Sequence, residues 1–355
     1  MRKRLLSLLV GMAMTAMMIS GCATTETTVK PSQESQQDSQ DSQASAGNKE
    51  EQTAEKKDAG NLTVGVSFAT LGNDFYSALH DYLLQLCDAE GWKVITMDAD
   101  NDVQQQITDI ENLITQDIDV LILNPFVQDG FKDIIQKCRD QGIYVVSVDN
   151  GVTSDTPVNA TVLTDNFGNG ELVGAWAVKQ LGSTPIRAYL ISGDPGSEVG
   201  KLRRDGLIQG IVEAQLSSMG KTDFQIVYQS YTEGWLNEVA LKNFEDTAVA
   251  YDFNVIISES DNFIYECRDY LKELGRDDVL FLSSADGSKR VLEAIKDGSY
   301  NGCTALNNYA KLDEKVVEVI KGLINGEQIN GEIMTDPVAI DKDNVGEIYD
   351  PNWLT

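Results

Sequence analysis

The chain has 355 residues and a formal net charge of −28 at pH 7. A surface this acidic repels a phosphate backbone, so a nucleic-acid-binding protein is not expected. The length exceeds what a single hydrophobic core usually supports, which predicts two domains.

Residues 1–21 have the pattern of an export signal. Three basic residues, Arg2, Lys3 and Arg4, precede an apolar run, LLSLLVGMAMTAMMI, which is short for a membrane span. The run closes with I-S-G-C, which resembles the lipobox of bacterial lipoproteins, in which the signal is cleaved before the cysteine and the cysteine is lipidated. This resemblance implies that Cys22 is lipidated; the alternative is an ordinary secretory signal with an incidental cysteine.

The segment from Cys22 to residue 60 contains almost no large apolar residue. It cannot bury enough surface to offset the entropy of ordering it, so we predict a disordered tether behind a lipidated cysteine. The folded part, residues 61–355, is therefore expected outside the cytoplasm, anchored by lipid to the outer face of the cell membrane. No later run is long and apolar enough to predict a transmembrane helix.

From residue 61 onwards, short β-rich runs alternate with amphipathic helical patterns. The predicted strands are mostly apolar throughout, as in parallel sheets that are covered on both faces; they are LTVGVSF, WKVITM, DVLIL, IYVVSV, TVLT, RAYLIS, FQIVYQ, NVIIS and VLFLSS. Helical patterns such as DGFKDIIQKCRDQG and SKRVLEAIKDG end at a glycine. The alternation predicts an α/β fold of doubly wound, Rossmann-like βαβ units.

These patterns contain no assembled nucleophile and base. His80 is the only histidine and falls in a predicted helix, which argues against histidine-based catalysis and a histidine-ligated metal. Cys87, Cys138 and Cys267 fall in helical patterns and are predicted to be small core residues with free thiols, while the state of Cys303 stays open. We therefore expect no enzyme, no cofactor and no metal.

Planar polar and aromatic residues follow the predicted strands, where open parallel sheets bind ligands. Carboxylate, amide and guanidinium groups bind neighbouring hydroxyls in pairs, and aromatic rings cover the C–H face of a sugar. The mixture suits a neutral polyol better than an anion. The candidate residues are Asn73, Phe75, Tyr76, Asp149, Asn150, Arg203, Trp235, Ser260, Asp286 and Asn307.

These motifs resemble, in the same order, those of the type I periplasmic sugar-binding proteins, the ribose- and galactose-binding receptors of ABC transporters. The resemblance covers the folded part from about residue 61 to the end. TLGNDFY resembles the first-strand loop of that group, which implies that Asn73 hydrogen-bonds the sugar while Phe75 and Tyr76 stack on it. SVDNG matches the loop whose aspartate, here Asp149, accepts hydrogen bonds from sugar hydroxyls.

The later loops match the same group. The resemblance implies that Arg203 binds the sugar from the second lobe, that Trp235 stacks on it and that Asp286 accepts its hydroxyls. The last contact falls on Asn307 or, in an equally good alignment, on Leu306.

The chain also departs from the pattern of the group, and five residues have a plainer interpretation. Ser197 and Val199 stand where galactose binders place polar contacts, and the calcium loop of that branch is missing. Asn150 stands where ribose binders have an arginine, and Ser260 stands in place of an asparagine. The plainer interpretations are a capping role for Asp149 and Asp286, pairing with Asp205 or another surface acid for Arg203, and core packing for Phe75 and Trp235.

The resemblance implies two lobes around a ligand cleft. The expected lobes are residues 61–165 with 307–335, and residues 166–306 with 336–355. Between them the chain is expected to cross three times, near residues 164–168, 304–308 and 335–338.

The expected function is that of an extracytoplasmic solute-binding lipoprotein. As a monomer, it would capture a monosaccharide and deliver it to the permease of an ABC transporter. Two alternatives stay open. A receptor for a sugar or a signalling furanose that feeds a membrane sensor needs the same cleft. An exported glycosidase needs a carboxylate pair, for which Asp149 and Asp286 are candidates.

Overall fold

The computed structural model describes residues 60–72 and 74–350, which lie in one compact unit of the chain. The export signal, Cys22, the tether up to residue 59, Asn73 and residues 351–355 lie outside the described residues.

Strands and helices alternate along most of the described chain. The strands are β1 (Thr63–Phe68), β2 (Lys93–Asp98), β3 (Val120–Asn124), β4 (Tyr144–Val148), β5 (Ala160–Thr164), β6 (Ile186–Ser192), β7 (Phe224–Tyr231), β8 (Val255–Ser258), β9 (Leu280–Ser283), β10 (Gly302–Ala305), β11 (Glu332–Thr335) and β12 (Ala339–Ile340). The α-helices are α1 (Asp74–Ala89), α2 (Val103–Ile114), α3 (Lys132–Asp140), α4 (Asn166–Leu181), α5 (Glu198–Met219), α6 (Asn237–Thr247), α7 (Asp261–Glu273), α8 (Lys289–Asp297), α9 (Tyr309–Ile324) and α10 (Val345–Ile348).

The strands form two six-stranded sheets, one in each lobe. The first has the order β11-β5-β4-β3-β1-β2 and the second the order β12-β10-β9-β8-β6-β7. All described pairs are parallel except β10 with β12. The prediction of two doubly wound α/β lobes is therefore confirmed.

The chain passes between the two sheets three times, as predicted. It leaves the first sheet after β5, returns to it after β10, and leaves it again between β11 and β12. The nine strands predicted from sequence are all present, whereas β10, β11 and β12 were not predicted as strands. These three are two to four residues long, and they lack the run of large apolar residues that marks the equally short β8 and β9.

Each sheet has a hydrophobic cluster on both faces. In the first lobe, α1 and α9 cover one face and α2 and α3 the other. In the second lobe, α6, α7 and α8 cover one face and α4 and α5 the other. This double cover explains why the central strands are apolar on both sides.

Two helix-ending glycines act as the sequence predicted. Gly142 follows α3 with a φ of 73°, and Gly298 follows α8 with a φ of 81°. Glycine adopts these left-handed angles without the steric cost that a Cβ imposes, so each helix can stop and turn into the next strand.

Helices α4 and α5 pack unusually closely because glycines line their contact. A Cβ on Gly170 would lie 2.5 Å from the main-chain nitrogen of Leu207, and Gly206 and Gly210 of α5 meet the backbone of α4 in the same way. This close packing sets the start of α5, which carries Arg203, against the start of α4.

The four cysteines within the described residues, Cys87, Cys138, Cys267 and Cys303, are buried free thiols, which confirms the prediction for the first three. Burial raises the pKa of Cys138 to about 11, so this thiol stays protonated at neutral pH. No helix among the described residues has the length and apolar content that crossing a bilayer would take.

Candidate ligand-binding site

The loops at the carboxyl ends of the strands carry most of the predicted ligand residues. Asp149 and Asn150 follow β4 in the first lobe, whereas Ser260 follows β8 and Asp286 follows β9 in the second. Arg203 lies in the second turn of α5. Asp149 of the first lobe lies near enough to Arg203 and Asp286 of the second for their charges to act on its carboxyl group.

Asp149 offers an open hydrogen-bond acceptor. Its φ of 63° is left-handed, and its main-chain N–H donates to the carbonyl of Val162 at 2.9 Å. No described residue donates a hydrogen bond to its carboxylate. Burial raises the pKa of Asp149 to about 6; Arg203 opposes the shift and Asp286 adds to it.

Asn150 binds an aromatic residue of its own lobe. Its Nδ2 donates to the hydroxyl of Tyr76 at 3.0 Å and to the carbonyl of Pro125 at 3.3 Å. Burial raises the pKa of Tyr76, so the hydroxyl keeps its proton. The rings of Phe75 and Tyr76 lie 6.0 Å apart and are half-buried against the core of the first lobe. Their packing is observed, and their stacking on a ligand stays a prediction.

Asn124, at the end of β3, is a residue that the sequence reasoning missed. Its Nδ2 donates to the carbonyl of Val148 at 3.1 Å, just before Asp149. Its Oδ1 is buried and makes no hydrogen bond of normal geometry within the described part of the chain, although its side chain lies close enough to Tyr76 to act on the hydroxyl of that residue. The signal was present, since Asn124 is a polar residue that ends an apolar strand.

Arg203 is buried, with 6% of its surface exposed, and all its donors with a described partner stay within the second lobe. Nε donates to Oδ1 of Asn166 at 2.8 Å. Nη1 donates to the carbonyl of Glu259 at 3.1 Å and to Oδ1 of Asp286 at 3.3 Å. The other oxygen of Asp286 accepts from the hydroxyl of Ser260 at 2.7 Å. Arg203 therefore pairs with a half-buried acid that is itself a candidate ligand residue, whereas Asp205 pairs with Arg204.

Asp261 supports the loop that carries Asp286. It is fully buried, and Oδ2 accepts from the N–H of Gly287 at 2.8 Å and from the hydroxyl of Thr304 at 2.9 Å. Ser288 donates to the same carboxylate from its N–H and from its hydroxyl. Burial and the nearby Asp286 raise the pKa of Asp261 to about 6. Through these hydrogen bonds, Asp261 attaches the loop that follows β9 to strand β10.

The two alternatives for the last contact lie in different surroundings. Leu306 is buried in the core of the second lobe. Asn307 is buried in the crossover between β10 and α9, where its Oδ1 accepts from the hydroxyl of Thr164 at 2.6 Å. Its main-chain N–H donates to the carbonyl of Asp286 at 2.9 Å. Only Asn307 is therefore hydrogen-bonded to the rest of the site.

Trp235 lies in the turn after β7, within the 3-10 helix Glu233–Trp235. Its ring is half-buried, packs against Gly193 and lies 5.7 Å from the ring of Phe263 at an interplanar angle of 33°. Packing on its own lobe is thus observed, and stacking on a ligand stays a prediction.

Glu259 is a second residue that the sequence reasoning missed. Only 1% of it is exposed, and its carboxylate accepts from Nη1 of Arg204 at 2.6 Å and from the N–H of Gly193 at 2.8 Å. It therefore joins the loops after β6 and β8, which lie beneath Trp235 and Arg203. The only sequence signal is an acid beside a predicted ligand residue, Ser260.

Two further features concern the predicted ligand residue Asn73 and metal binding. Asn73 lies outside the described residues. Within residues 60–72 and 74–350, no group of three or more histidine, cysteine, aspartate or glutamate side chains is placed to hold a metal ion.

The chain belongs to the periplasmic binding protein domain family, which matches residues 64–328. This confirms the family inferred from the loop motifs. The chain is similar to the D-xylose-binding periplasmic protein of Haemophilus influenzae, with 27% identity over 311 residues that cover 83% of this chain and 90% of the relative. It is also similar to the ribose import binding protein RbsB of Bacillus subtilis, with 26% identity over 79% of this chain and 89% of the relative.

A solved structure supports the same grouping. An ABC transporter solute-binding protein from Mycobacterium smegmatis, crystallised with bound glycerol, matches with a TM-score of 0.71 and 28% identity. The match covers 82% of this chain and 98% of that one.

Proposed function

We propose that this protein captures a monosaccharide in the cleft between its lobes and delivers it to the permease of an ABC transporter. The observation that carries the proposal is that Asp149 of one lobe lies within electrostatic range of Arg203 and Asp286 of the other. An acceptor that no described residue satisfies therefore lies near a guanidinium and a second carboxylate, as expected of a site that binds several hydroxyls at once. The names of the relatives point to the same ligand class.

The proposed site contains the candidates from both lobes. In the first lobe, Asp149 and the buried Oδ1 of Asn124 would accept hydrogen bonds from sugar hydroxyls. In the second, Arg203 would donate and Asp286 would accept, with Asn307 and Ser260 beside them. Phe75, Tyr76 and Trp235 would cover the apolar faces of the ring, and Asn73 and Asn150 complete the set. A hydroxyl satisfies such acceptors without adding charge.

The proposed lobes follow the two sheets. We assign residues 61–165 and 307–335 to the lobe of the first sheet, and residues 166–306 and 336–355 to the lobe of the second. Sheet membership supports this division, because β1 to β5 with β11 lie in the first sheet and β6 to β10 with β12 in the second. Closure of the lobes around the ligand would create the surface that a permease recognises.

The binding function is tested by a thermal-shift screen of the purified protein against pentoses, hexoses, furanosides and polyols, followed by calorimetry. A true ligand at a hundredfold its dissociation constant adds about 2.7 kcal/mol of stability. If no sugar or polyol in the panel shifts the melting temperature, the proposal fails. Incubation with disaccharides tests the glycosidase alternative, which requires cleaved product. A furanose that binds without any effect on sugar uptake would favour the receptor alternative.

Lipid anchoring is a separate part of the proposal and rests on the I-S-G-C sequence that ends at Cys22. Cys22→Ala should prevent lipidation and leave the protein unprocessed or released. Membrane fractionation and intact mass measure this, with Cys87→Ala as the control that keeps the signal intact. A wild-type protein that is cleaved normally and carries an unmodified Cys22 would contradict the proposal.

A further inference from the structure

Five residues form a closed ring of hydrogen bonds behind the proposed site. Arg203 donates from Nε to Oδ1 of Asn166 at 2.8 Å, and Asn166 donates from Nδ2 to the carbonyl of Thr164 at 3.2 Å. The hydroxyl of Thr164 donates to Oδ1 of Asn307 at 2.6 Å, and the N–H of Asn307 donates to the carbonyl of Asp286 at 2.9 Å. The bond from Nη1 of Arg203 to Oδ1 of Asp286, at 3.3 Å, closes the ring.

The ring connects the ligand residues to two of the three crossovers. Thr164 is the last residue of β5 in the first lobe, and Asn166 is the first residue of α4 in the second. Asn307 lies in the crossover that returns the chain from β10 to α9. The first and second crossovers therefore share a hydrogen bond, and both connect to Arg203 or Asp286.

The third crossover is tied to the second by a neighbouring amide. Asn169 of α4 is fully buried, and its Nδ2 donates to the carbonyl of Leu306 at 3.0 Å. Its Oδ1 accepts from the N–H of Val338 at 2.9 Å. All three connections between the lobes are thus held by buried side-chain amides near the start of α4.

Water does not compete for most of these bonds. Thr164, Asn166, Arg203 and Asn307 are all buried, and only Asp286 keeps part of its side chain in contact with solvent. A buried polar group that loses its partner has no replacement, so the members of such a ring depend on one another.

We propose that Thr164 and Asn166 are positioning residues that link ligand binding at Arg203 and Asp286 to the arrangement of the lobe crossovers. The proposal rests on the proposed function, because it requires a ligand at these two residues. The ring holds Arg203, Asp286 and Asn307 in one arrangement before the ligand arrives. A ligand hydroxyl that bonds to Asp286 or Arg203 competes with the 3.3 Å bond, the longest in the ring, and so acts on the crossovers.

The test compares two threonines on the same strand, in the full-length protein. Thr164→Val keeps the side-chain shape and removes the hydroxyl that reaches Asn307. Thr161→Val is the matched control, since Thr161 is also buried in β5 and lies outside the ring. The affinity for D-xylose and for D-ribose is measured by calorimetry. We expect Thr164→Val to weaken binding roughly five- to thirty-fold, the loss of one buried hydrogen bond, and Thr161→Val to leave it unchanged.

A conservative variant separates positioning from simple packing. Thr164→Ser keeps the hydroxyl while losing a methyl group, so it should bind within about threefold of wild type. Combining Thr164→Val with Asn166→Ala should weaken binding no more than the stronger single change, because both open the same ring. Equal affinity of Thr164→Val and Thr161→Val, or effects that multiply in the double variant, would overturn the proposal.

A second measurement needs no sugar. Hydrogen exchange in the free protein reports on the Asn307 N–H in a peptide covering residues 304–308. Thr164→Val should accelerate that exchange several-fold over Thr161→Val, and equal rates would overturn the proposal. Wild type could bind neither D-xylose nor D-ribose while the exchange rates differ as expected. In that case Thr164 holds Asn307 as proposed, and only the assigned sugar class is wrong.

Discussion

The two halves of the site treat their carboxyl groups differently. In the second lobe Asp286, Asp261 and Glu259 each accept hydrogen bonds from neighbouring side chains or main-chain N–H groups. In the first lobe Asp149 accepts none from the described residues. Asp313, buried in the core of the same lobe, has no partner for either oxygen within the described part of the chain.

The two lobes therefore have different roles. The second lobe is arranged before the ligand arrives, and the first lobe supplies an acceptor that the ligand satisfies. The second lobe has an arginine at its centre, and its carboxylates are fixed before a ligand arrives, which reduces the entropy lost on binding. The first lobe keeps an unsatisfied acceptor whose desolvation a ligand can relieve. Breaking a residue of the second lobe should therefore damage folding and binding together, whereas breaking Asp149 should damage binding alone.

The largest effect is expected from Arg203→Met. The variant leaves Asp286, Asn166 and the carbonyl of Glu259 without their shared donor. We expect the free energy of unfolding to fall by about 3 kcal/mol, as when one partner of a buried ion pair is removed, and sugar binding to be lost. Urea denaturation and calorimetry measure the two effects.

Lys201→Met on the same helix is the matched control for Arg203→Met. Lys201 is exposed and lies 4.0 Å from Glu198, so its loss should change stability by less than about 0.5 kcal/mol. Equal stability of the two variants would show that Arg203 does not hold the second lobe together.

Asp149→Asn is expected to separate binding from stability. The change keeps the shape and replaces one acceptor oxygen by a donor, so the affinity for sugar should fall by about 1 to 3 kcal/mol. The free energy of unfolding should not fall, because no described residue loses a hydrogen bond. Asp286→Asn is the comparison variant from the other lobe, and both its affinity for sugar and its free energy of unfolding should fall. A stability loss in Asp149→Asn equal to that in Asp286→Asn would remove the contrast between the lobes.

The same carboxyl predicts a pH dependence of binding. The pKa of Asp149 is raised to about 6 in the folded protein. Above that pH the carboxylate accepts from ligand hydroxyls, and below it protonation removes part of this capacity, so affinity should fall as the pH drops from 7 to 5. In Asp149→Asn the affinity should change much less over this range. A wild-type affinity that is constant between pH 5 and 7 would contradict the assignment.

Asp313 predicts a pH dependence of stability rather than of binding. Burial raises its pKa well above the ordinary value of 3.8, so the folded protein retains a proton that the unfolded chain releases. Stability from this group is therefore complete below about pH 4 and is lost as the pH rises toward the folded-state pKa. Asp313→Asn should stabilise the protein by about 1 to 2 kcal/mol at pH 7, with no gain at pH 4.

Chemical denaturation at several pH values measures that gain. Asp109 provides the control, because it is buried in the first lobe but only its Oδ2 lacks a partner among the described residues, while its Oδ1 accepts from Nε2 of Gln105 at 2.8 Å. Asp109→Asn should not stabilise the protein. A stability difference between wild type and Asp313→Asn that does not change with pH would mean that the folded protein does not retain a proton on Asp313.

The sequence predicted those features of the fold and site that a local pattern of residues determines. Alternating strands and helices, glycines such as Gly142 at helix ends and acids such as Asp286 at strand ends all leave a signal within a few residues. The fold and the position of Asp149 directly after β4 follow from that signal and from the family motifs. Whether the named side chains bind a sugar is beyond such patterns and stays a prediction.

The supporting bonds could not be predicted because they join distant residues. Thr164 reaches Asn307 across 143 positions, and Glu259 reaches Gly193 across 66. Nothing in the sequence near either residue specifies its partner. The strands β10 to β12 were missed for a related reason, since their pairing depends on neighbours in the sheet rather than on their own short sequences.

The smallest effect on sugar affinity is expected from substitution of Trp235. This residue belongs to the preorganised second lobe, so it tests whether a side chain packed within that lobe also contacts the ligand. Its ring already packs against Gly193 and Phe263. Trp235→Ala should therefore lower the melting temperature, and it should also cost about 1 kcal/mol of sugar affinity if the free face of the ring covers the ligand. Trp235→Phe retains an aromatic face and should keep much of the binding while losing most of the ligand-induced change in tryptophan fluorescence. The chain has four tryptophans, so Trp176→Phe serves as the fluorescence control. If Trp235→Ala melts at a lower temperature yet binds sugar as tightly as wild type, the ring is a packing residue of the second lobe and does not contact the ligand.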